Sequence, residues 1–102
     1  MTTINGSDVR KLVVACDAGM GSSVMLASTL KSQLKKQNVI VEHTPVASIP
    51  EDADVVICHE GLADRARGVA GGKPIIPFKV FLGDPAVTKV VNAIKNGEDI
   101  NG

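Results

Sequence analysis

A cysteine followed by a glycine-containing segment is the part of this sequence best suited to chemistry. The segment reads Cys16-Asp-Ala-Gly-Met-Gly-Ser-Ser23. A thiolate is a strong nucleophile, and glycines allow successive backbone amides to point inward around an anion. We therefore interpret Cys16 as a candidate nucleophile at the mouth of a cradle for a tetrahedral oxyanion such as a phosphoryl group.

The flanking residues predict a buried strand before this segment and a helix after it. Leu12 to Ala15 is a short, fully apolar run, and the helix is predicted from about Ser22 to Gln37. The unpaired N–H groups at a helix start favour a nearby anion and lower the pKa of a nearby thiol. The predicted phosphoryl ligands are the amides of Asp17, Ala18, Gly19, Met20, Gly21, Ser22 and Ser23, with the two serine hydroxyls. Spacing alone leaves a second interpretation open, in which Cys16 is an inert thiol beside an ordinary glycine turn.

The rest of the chain alternates short apolar runs with helical patterns. Further strands are predicted at Val39–Thr44, Val55–Ile57 and Ile75–Ile76, and further helices at Leu62–Val69 and from Pro85, capped by Asp84, to Gly97. The first of these strands alternates apolar and polar residues, which is typical of a less covered edge strand. Helices between strands predict an α/β fold with a mostly parallel sheet, in which ligands bind at the carboxyl ends of the strands.

Composition limits the possible functions. The chain has 102 residues, enough for one domain, and 11 basic residues balance 11 acidic ones. A formal net charge of zero argues against a general nucleic-acid binder. No apolar run approaches the ~20 residues of a membrane span, and no secretory signal is recognisable, so we expect a cytoplasmic protein with free thiols. No metal-site spacing is present, and residues 1–8 and 97–102 are expected to be loose ends around a domain at 9–96.

Two stretches of the sequence resemble a known family. Val14-Ala-Cys-Asp-Ala-Gly-Met-Gly-Ser-Ser23 is similar to the phosphocysteine loop of the IIB component of the bacterial sugar phosphotransferase system, mannitol type. The stretch Val55-Val-Ile-Cys-His59, with Leu62 and Arg65-Ala66, is similar to the family's third strand and the helix after it. The pair Phe81-Leu82 also falls where the family has it, and the resemblance extends from about Lys11 to Ile94.

The resemblance implies a fold, a reaction and partners. It implies an open four-stranded parallel sheet flanked by helices, with a cradle like a phosphatase loop after the first strand. It implies that Cys16 accepts a phosphoryl group from a phosphohistidine of a IIA protein. The group then passes to a sugar or sugar alcohol bound in a membrane IIC component. No cofactor is implied, the contacts are expected to be transient, and we expect a monomer. Glu60, where mannitol-type domains carry a basic residue, leaves the sugar and the partners open.

Two other functions remain as alternatives. The loop also resembles that of low-molecular-weight tyrosine phosphatases, which suggests a phosphatase or an arsenate reductase. Those phosphatases place an arginine six residues after the cysteine, where this chain has Ser22. Without the guanidinium, stabilisation of a hydrolytic transition state is weaker, which favours a carrier. The other alternative is a regulatory module that reports its phosphorylation state to transcription factors.

Several residues near the loop have both a functional and a structural interpretation. His59 could contact the phosphoryl group or the IIA protein, although a simple polar strand end is the favoured interpretation. Asp17 could brace the loop or be a solvated turn residue. Met20, Val24 and Met25 could form an apolar docking patch, with core packing as the alternative for Val24. Cys58 is expected to be a packed small residue, and a redox pair with Cys16 is the alternative.

Overall fold

The computed structural model describes residues 3–16, 21–69, 73–79 and 85–101. Within these ranges the chain forms six strands and three α-helices. The strands are β1 (Thr3–Asn5), β2 (Lys11–Cys16), β3 (Ile40–Pro45), β4 (Val55–His59), β5 (Ile75–Phe78) and β6 (Asp99–Asn101), and the helices are α1 (Gly21–Gln33), α2 (Ala63–Val69) and α3 (Pro85–Asn96). The described residues therefore alternate strands with helices, as the sequence predicts.

Four of the strands form one parallel sheet in the order β3-β2-β4-β5. This confirms the predicted α/β class with a four-stranded parallel sheet flanked by helices. The alternating strand β3 lies at the edge of this sheet, as predicted. The connection from β3 to β4 contains a single 3-10 turn at Val46–Ser48.

The sheet separates two apolar clusters because successive side chains of a strand point to opposite faces. Leu12, Val14 and Ile57 pack against α1 and α3, in the larger cluster. Val13, Ala15, Val56 and Cys58 pack against α2, in the smaller one. The central strands β2 and β4 are therefore covered on both faces, which is the physical reason for their unbroken apolar runs.

The two ends of the described chain pair with each other. Strand β1 runs antiparallel to β6, with Ile4 opposite Ile100. The side chain of Ile100 is 4% exposed and belongs to the larger cluster. The Asn5 side-chain amide also donates a hydrogen bond to the Gly97 carbonyl at 2.8 Å. One buried isoleucine and a two-stranded ribbon therefore connect these paired residues, while the expected loose ends and the domain limits stay a prediction.

The helix boundaries follow local signals with one difference. Helix α1 ends at Gln33, four residues before the predicted end, and a 3-10 turn at Lys35–Gln37 follows it. Leu34 still packs in the core, so the apolar stripe continues past the last helical residue. Helix α3 ends at Asn96, and Gly97 has a φ of 71°, which confirms the predicted glycine stop. The predicted cap Asp84 lies outside the described residues.

Candidate functional site

The predicted nucleophile ends a central strand. Cys16 is the last residue of β2, and α1 begins at Gly21. The chain therefore passes within a few residues from the carboxyl end of a buried strand to the start of a helix. In open parallel sheets this edge is where ligands bind. The backbone placement of Cys16 agrees with the sequence analysis.

Most of the predicted cradle lies outside the described part of the chain. This applies to Asp17, Ala18, Gly19 and Met20, and to the side chains of Cys16, Ser22 and Ser23. The backbone of residues 21–23 is described and forms the first turn of α1. Amides in a first helical turn have no acceptor within the helix, and no acidic residue occurs in that turn. The start of α1 therefore favours an anion next to the loop, while the cradle itself stays a prediction.

His59 ends the strand beside β2. In the β2–β4 ladder Ala15 pairs with Cys58, so Cys16 and His59 each come one residue after this pair. The Nδ1 atom of His59 accepts a hydrogen bond from the Gly61 backbone amide at 3.2 Å. The imidazole also meets the ring of Phe78 edge-on, with centroids 5.9 Å apart and planes at 88°. The side chain is half-buried, so the structure places His59 at the edge where the loop begins, with two contacts that orient its ring.

The second cysteine lies in the apolar interior. Cys58 is 0% exposed and belongs to the smaller cluster, on the α2 face. Burial raises the pKa of its thiol, and the charge of Arg67 opposes this effect in part. The prediction that Cys58 is a packed small residue is therefore confirmed. An enclosed thiol with a raised pKa is a poor participant in disulfide exchange, which counts against the redox alternative.

Two apolar side chains next to the loop are exposed to solvent. Val24 is 49% exposed and Met25 is 60% exposed, immediately after the first three residues of α1. Core packing of Val24, one of the two interpretations of that residue, is therefore wrong. Met20, the third member of the predicted patch, lies outside the described residues. The exposed pair gives the beginning of α1 an apolar surface.

Sequence reasoning missed how His59 is held. Neither Gly61 nor Phe78 was singled out, although both contact the imidazole. The available signal was weak: Phe78 is one of two phenylalanines in the chain, and it follows the predicted fourth strand. The register of β4 with β5 pairs His59 with Phe78, and such pairing becomes visible only in the folded sheet.

Comparisons with known proteins agree with this architecture. The family model described as PTS system, Lactose/Cellobiose specific IIB subunit matches residues 11–93, which include β2, the loop and α1. A mannitol-specific EIICB component of the PTS from Geobacillus stearothermophilus is 42% identical over 89 residues, covering 85% of this chain and 19% of that protein. The proteins of the same name from Halalkalibacterium halodurans and Bacillus subtilis are 38% and 37% identical, over 88% and 90% of this chain.

The matches cover nearly all of this chain but a small part of each relative. The chain spans about a fifth of the length of the curated relatives it matches, 20% for the H. halodurans and B. subtilis proteins. No helix in the described ranges is long and apolar enough to cross a membrane. The family match extends from the first residue of β2 into α3, and thus contains the whole parallel sheet. The chain therefore belongs to the IIB family of the phosphotransferase system.

Proposed function

We propose that this chain carries a phosphoryl group on Cys16. It would accept the group from a phosphohistidine of a IIA protein and pass it to a sugar or sugar alcohol bound in a membrane IIC component. The observation that carries this proposal is the position of Cys16 at the carboxyl end of central strand β2, a short loop before α1 begins at Gly21. Family membership across these same elements supports it.

The two transfers are displacements at phosphorus. In the first, the Cys16 thiolate attacks the phosphorus, so that an S–P bond forms while the N–P bond of the donor breaks. The electron pair of the broken bond stays on the donor's imidazole, which takes up one proton in place of the one lost by the thiol. In the second, a hydroxyl oxygen of the sugar attacks, the S–P bond breaks, and the electron pair returns to sulfur while the hydroxyl proton leaves to solvent. Both steps depend mainly on positioning and electrostatic stabilisation.

The residues after Cys16 would hold the phosphoryl oxygens. We assign this role to the backbone amides of residues 17–23 and to the hydroxyls of Ser22 and Ser23. The start of α1 supports the assignment, because its first turn contains no acidic residue that would repel a dianion. The same donors would stabilise the thiolate form of Cys16 before transfer. One set of amides would thus serve both the resting and the loaded protein.

The carboxyl edge would also be the docking surface for both partners. The group must pass between proteins, so each partner has to reach Cys16 in turn. The exposed Val24 and Met25 flank the loop and suit an apolar contact with a IIA protein and with IIC. The names of the relatives, mannitol-specific EIICB components, support a IIC partner and make a sugar alcohol the first substrate to test.

The direct test is the intact mass of the chain after incubation with a phosphorylated IIA protein. We expect a gain of one phosphoryl group, in wild type and in Cys58→Ala, and no gain in Cys16→Ser. The Cys58→Ala variant is the matched control because it removes the other, buried thiol. Labelling that persists in Cys16→Ser would refute the assignment. Steady release of phosphate from a small aryl phosphate would instead favour the phosphatase alternative.

A further inference from the structure

The hydrogen bond of His59 determines where its imidazole carries a hydrogen. Nδ1 accepts from the Gly61 amide at 3.2 Å, so this nitrogen has its lone pair directed at an N–H group. A neutral imidazole with an accepting Nδ1 carries its single hydrogen on Nε2. The turn after β4 therefore selects one tautomer of His59, with Nε2 as a donor.

A second contact limits how the ring can turn. Phe78, which is 2% exposed and pairs with His59 across β4 and β5, meets the imidazole edge-on. Rotation about the bonds of His59 would break this contact or the hydrogen bond to Gly61. A donor whose orientation is already restricted loses less entropy when it binds a ligand.

The backbone of His59 lies next to that of Cys16. Each residue comes directly after the paired residues Ala15 and Cys58 on adjacent parallel strands, which lie roughly 4.8 Å apart in a sheet. An imidazole is long enough to reach across this spacing. His59 is half-buried, so a hydrogen bond it makes to an anion is partly shielded from water.

We propose that His59 is a phosphoryl-binding residue that donates its Nε2–H to the anion on Cys16, the thiolate before transfer and the phosphoryl group after it. The inference rests on the proposed phosphocarrier function and adds a side-chain donor to the backbone cradle. A hydrogen bond from the Nε2–H group would stabilise the negative charge of the phosphoryl oxygens. His59 thus helps the carrier hold its phosphoryl group until an acceptor arrives.

Two substitutions distinguish the role of Nδ1 from the role of Nε2. His59→Asn keeps an acceptor at the position of Nδ1, so the bond from Gly61 survives, but its side chain is too short to replace Nε2. His59→Gln places an amide donor near the position of Nε2 and removes the Nδ1 acceptor. We expect His59→Asn to transfer from phosphorylated IIA roughly 10- to 100-fold more slowly, the effect of one lost hydrogen bond to a charged group. We expect His59→Gln to recover a substantial part of the rate.

A second measurement follows the thiolate without any partner protein. The rate of Cys16 alkylation, measured against pH and assigned by peptide mass, reports the pKa of this thiol. We expect the midpoint to move to higher pH in His59→Asn and to return toward wild type in His59→Gln. A purely structural role for His59 would produce the opposite order, because only the asparagine variant retains the hydrogen bond to Gly61.

The outcomes distinguish this inference from the function on which it rests. If wild type takes up no phosphoryl group, the proposed function fails and the role of His59 fails with it. If wild type is labelled while folded His59→Asn matches it in both rate and alkylation midpoint, only the role of His59 is refuted. An equal loss of transfer rate in His59→Asn and His59→Gln, together with a lower unfolding temperature of His59→Gln, would likewise refute the role of His59 in phosphoryl binding. His59 would then only stabilise the turn after β4.

Discussion

The two edges of the parallel sheet differ in what they expose. At the amino edge, the Lys11 ammonium contacts Asp52 at 3.0 Å and Glu42 at 3.4 Å. One carboxylate oxygen of Asp54 also accepts the backbone N–H groups of Arg10 and Lys11, at 2.8 and 3.0 Å. Polar side chains thus connect the starts of neighbouring strands.

The carboxyl edge presents different groups. His59 is half-buried there, and Val24 and Met25, near the start of α1, expose about half or more of their side chains. Apolar groups left in water contribute little to the free energy of folding. The difference between the edges indicates that the amino edge mainly stabilises the sheet, while the carboxyl edge is where the proposed function places the ligand and the partner proteins.

The largest expected effect is at Gly6, in the turn between β1 and β2. A Cβ added at Gly6 would lie 2.0 Å from the Ala93 carbonyl oxygen and 2.8 Å from the Ile94 Cα. Because both neighbours are backbone atoms of α3, we expect Gly6→Ala to lower the free energy of unfolding by about 3 kcal/mol or more. Urea denaturation measures this. Gly68→Ala is the matched control, since nothing lies within 4 Å of its added Cβ, and it should leave stability equal or slightly higher.

Loss of the Asp54 carboxylate should have the next largest effect. Asp54→Ala leaves two backbone N–H groups without their acceptor, which we expect to cost about 1–3 kcal/mol of unfolding free energy. Asp54→Asn retains one acceptor oxygen and should cost less. Neither variant, once folded, should change the rate at which Cys16 is labelled. A folded Asp54→Ala protein with strongly impaired labelling would contradict the division of roles between the two edges.

A smaller effect is expected from the exposed methionine. Met25→Ser should raise the KM for phosphorylated IIA roughly fivefold, with kcat unchanged, because it removes apolar docking surface and no reacting group. Ile40→Ser is the matched control, since Ile40 is 58% exposed but begins β3 at the amino edge. The free energy of unfolding of both variants should lie within about 0.5 kcal/mol of the wild-type value. Equal changes in KM for the two variants would show that the docking surface is elsewhere.

The smallest effect concerns the dependence of stability on pH. The hydrogen bond from Lys11 holds the pKa of Asp52 below its ordinary value. When folding lowers the pKa of an aspartate, its charged carboxylate stabilises the fold at pH values above the ordinary aspartate pKa of about 3.9. That stabilisation is lost as the pH falls through the pKa of the folded state. The difference in urea midpoint between wild type and Asp52→Asn should therefore narrow in acid. Because Asp52 is exposed, the difference should be small at every pH.

If the difference in urea midpoint between wild type and Asp52→Asn stayed constant down to strongly acid pH, the charge of Asp52 would not be the cause of its effect on stability. Glu51→Gln, which changes the neighbouring exposed carboxylate, provides the reference. We expect its urea midpoint to follow that of wild type across the same pH range.

Local patterns were sufficient for the main elements of the fold. The apolar run ending at Ala15 predicted β2, and the alternation after Val39 predicted an edge strand, which β3 is. These predictions succeeded because a strand buried on both faces has a continuous apolar run, whereas a strand buried on one face alternates apolar and polar residues. The end of α1 was less accurate, because Leu34 continues the apolar stripe after the helix has tightened into a 3-10 turn.

Contacts between distant parts of the chain could not be read from local patterns. The β1–β6 ribbon joins residues more than ninety positions apart and depends on Ile100 entering the core. The amino-edge contacts of Lys11 likewise involve residues from three separate segments. Neither arrangement has a period or a spacing that a single segment displays.

By itself, the sequence predicted the chemical type of the site: a cysteine after a buried strand, followed by glycines and two serines that begin a helix. It could do so because nucleophile, turn and helix start are contiguous in the chain. Only the tertiary structure decided that the backbone of His59 lies next to that of Cys16 and that the imidazole contacts Gly61 and Phe78, since strand order and register arise when separate strands pair.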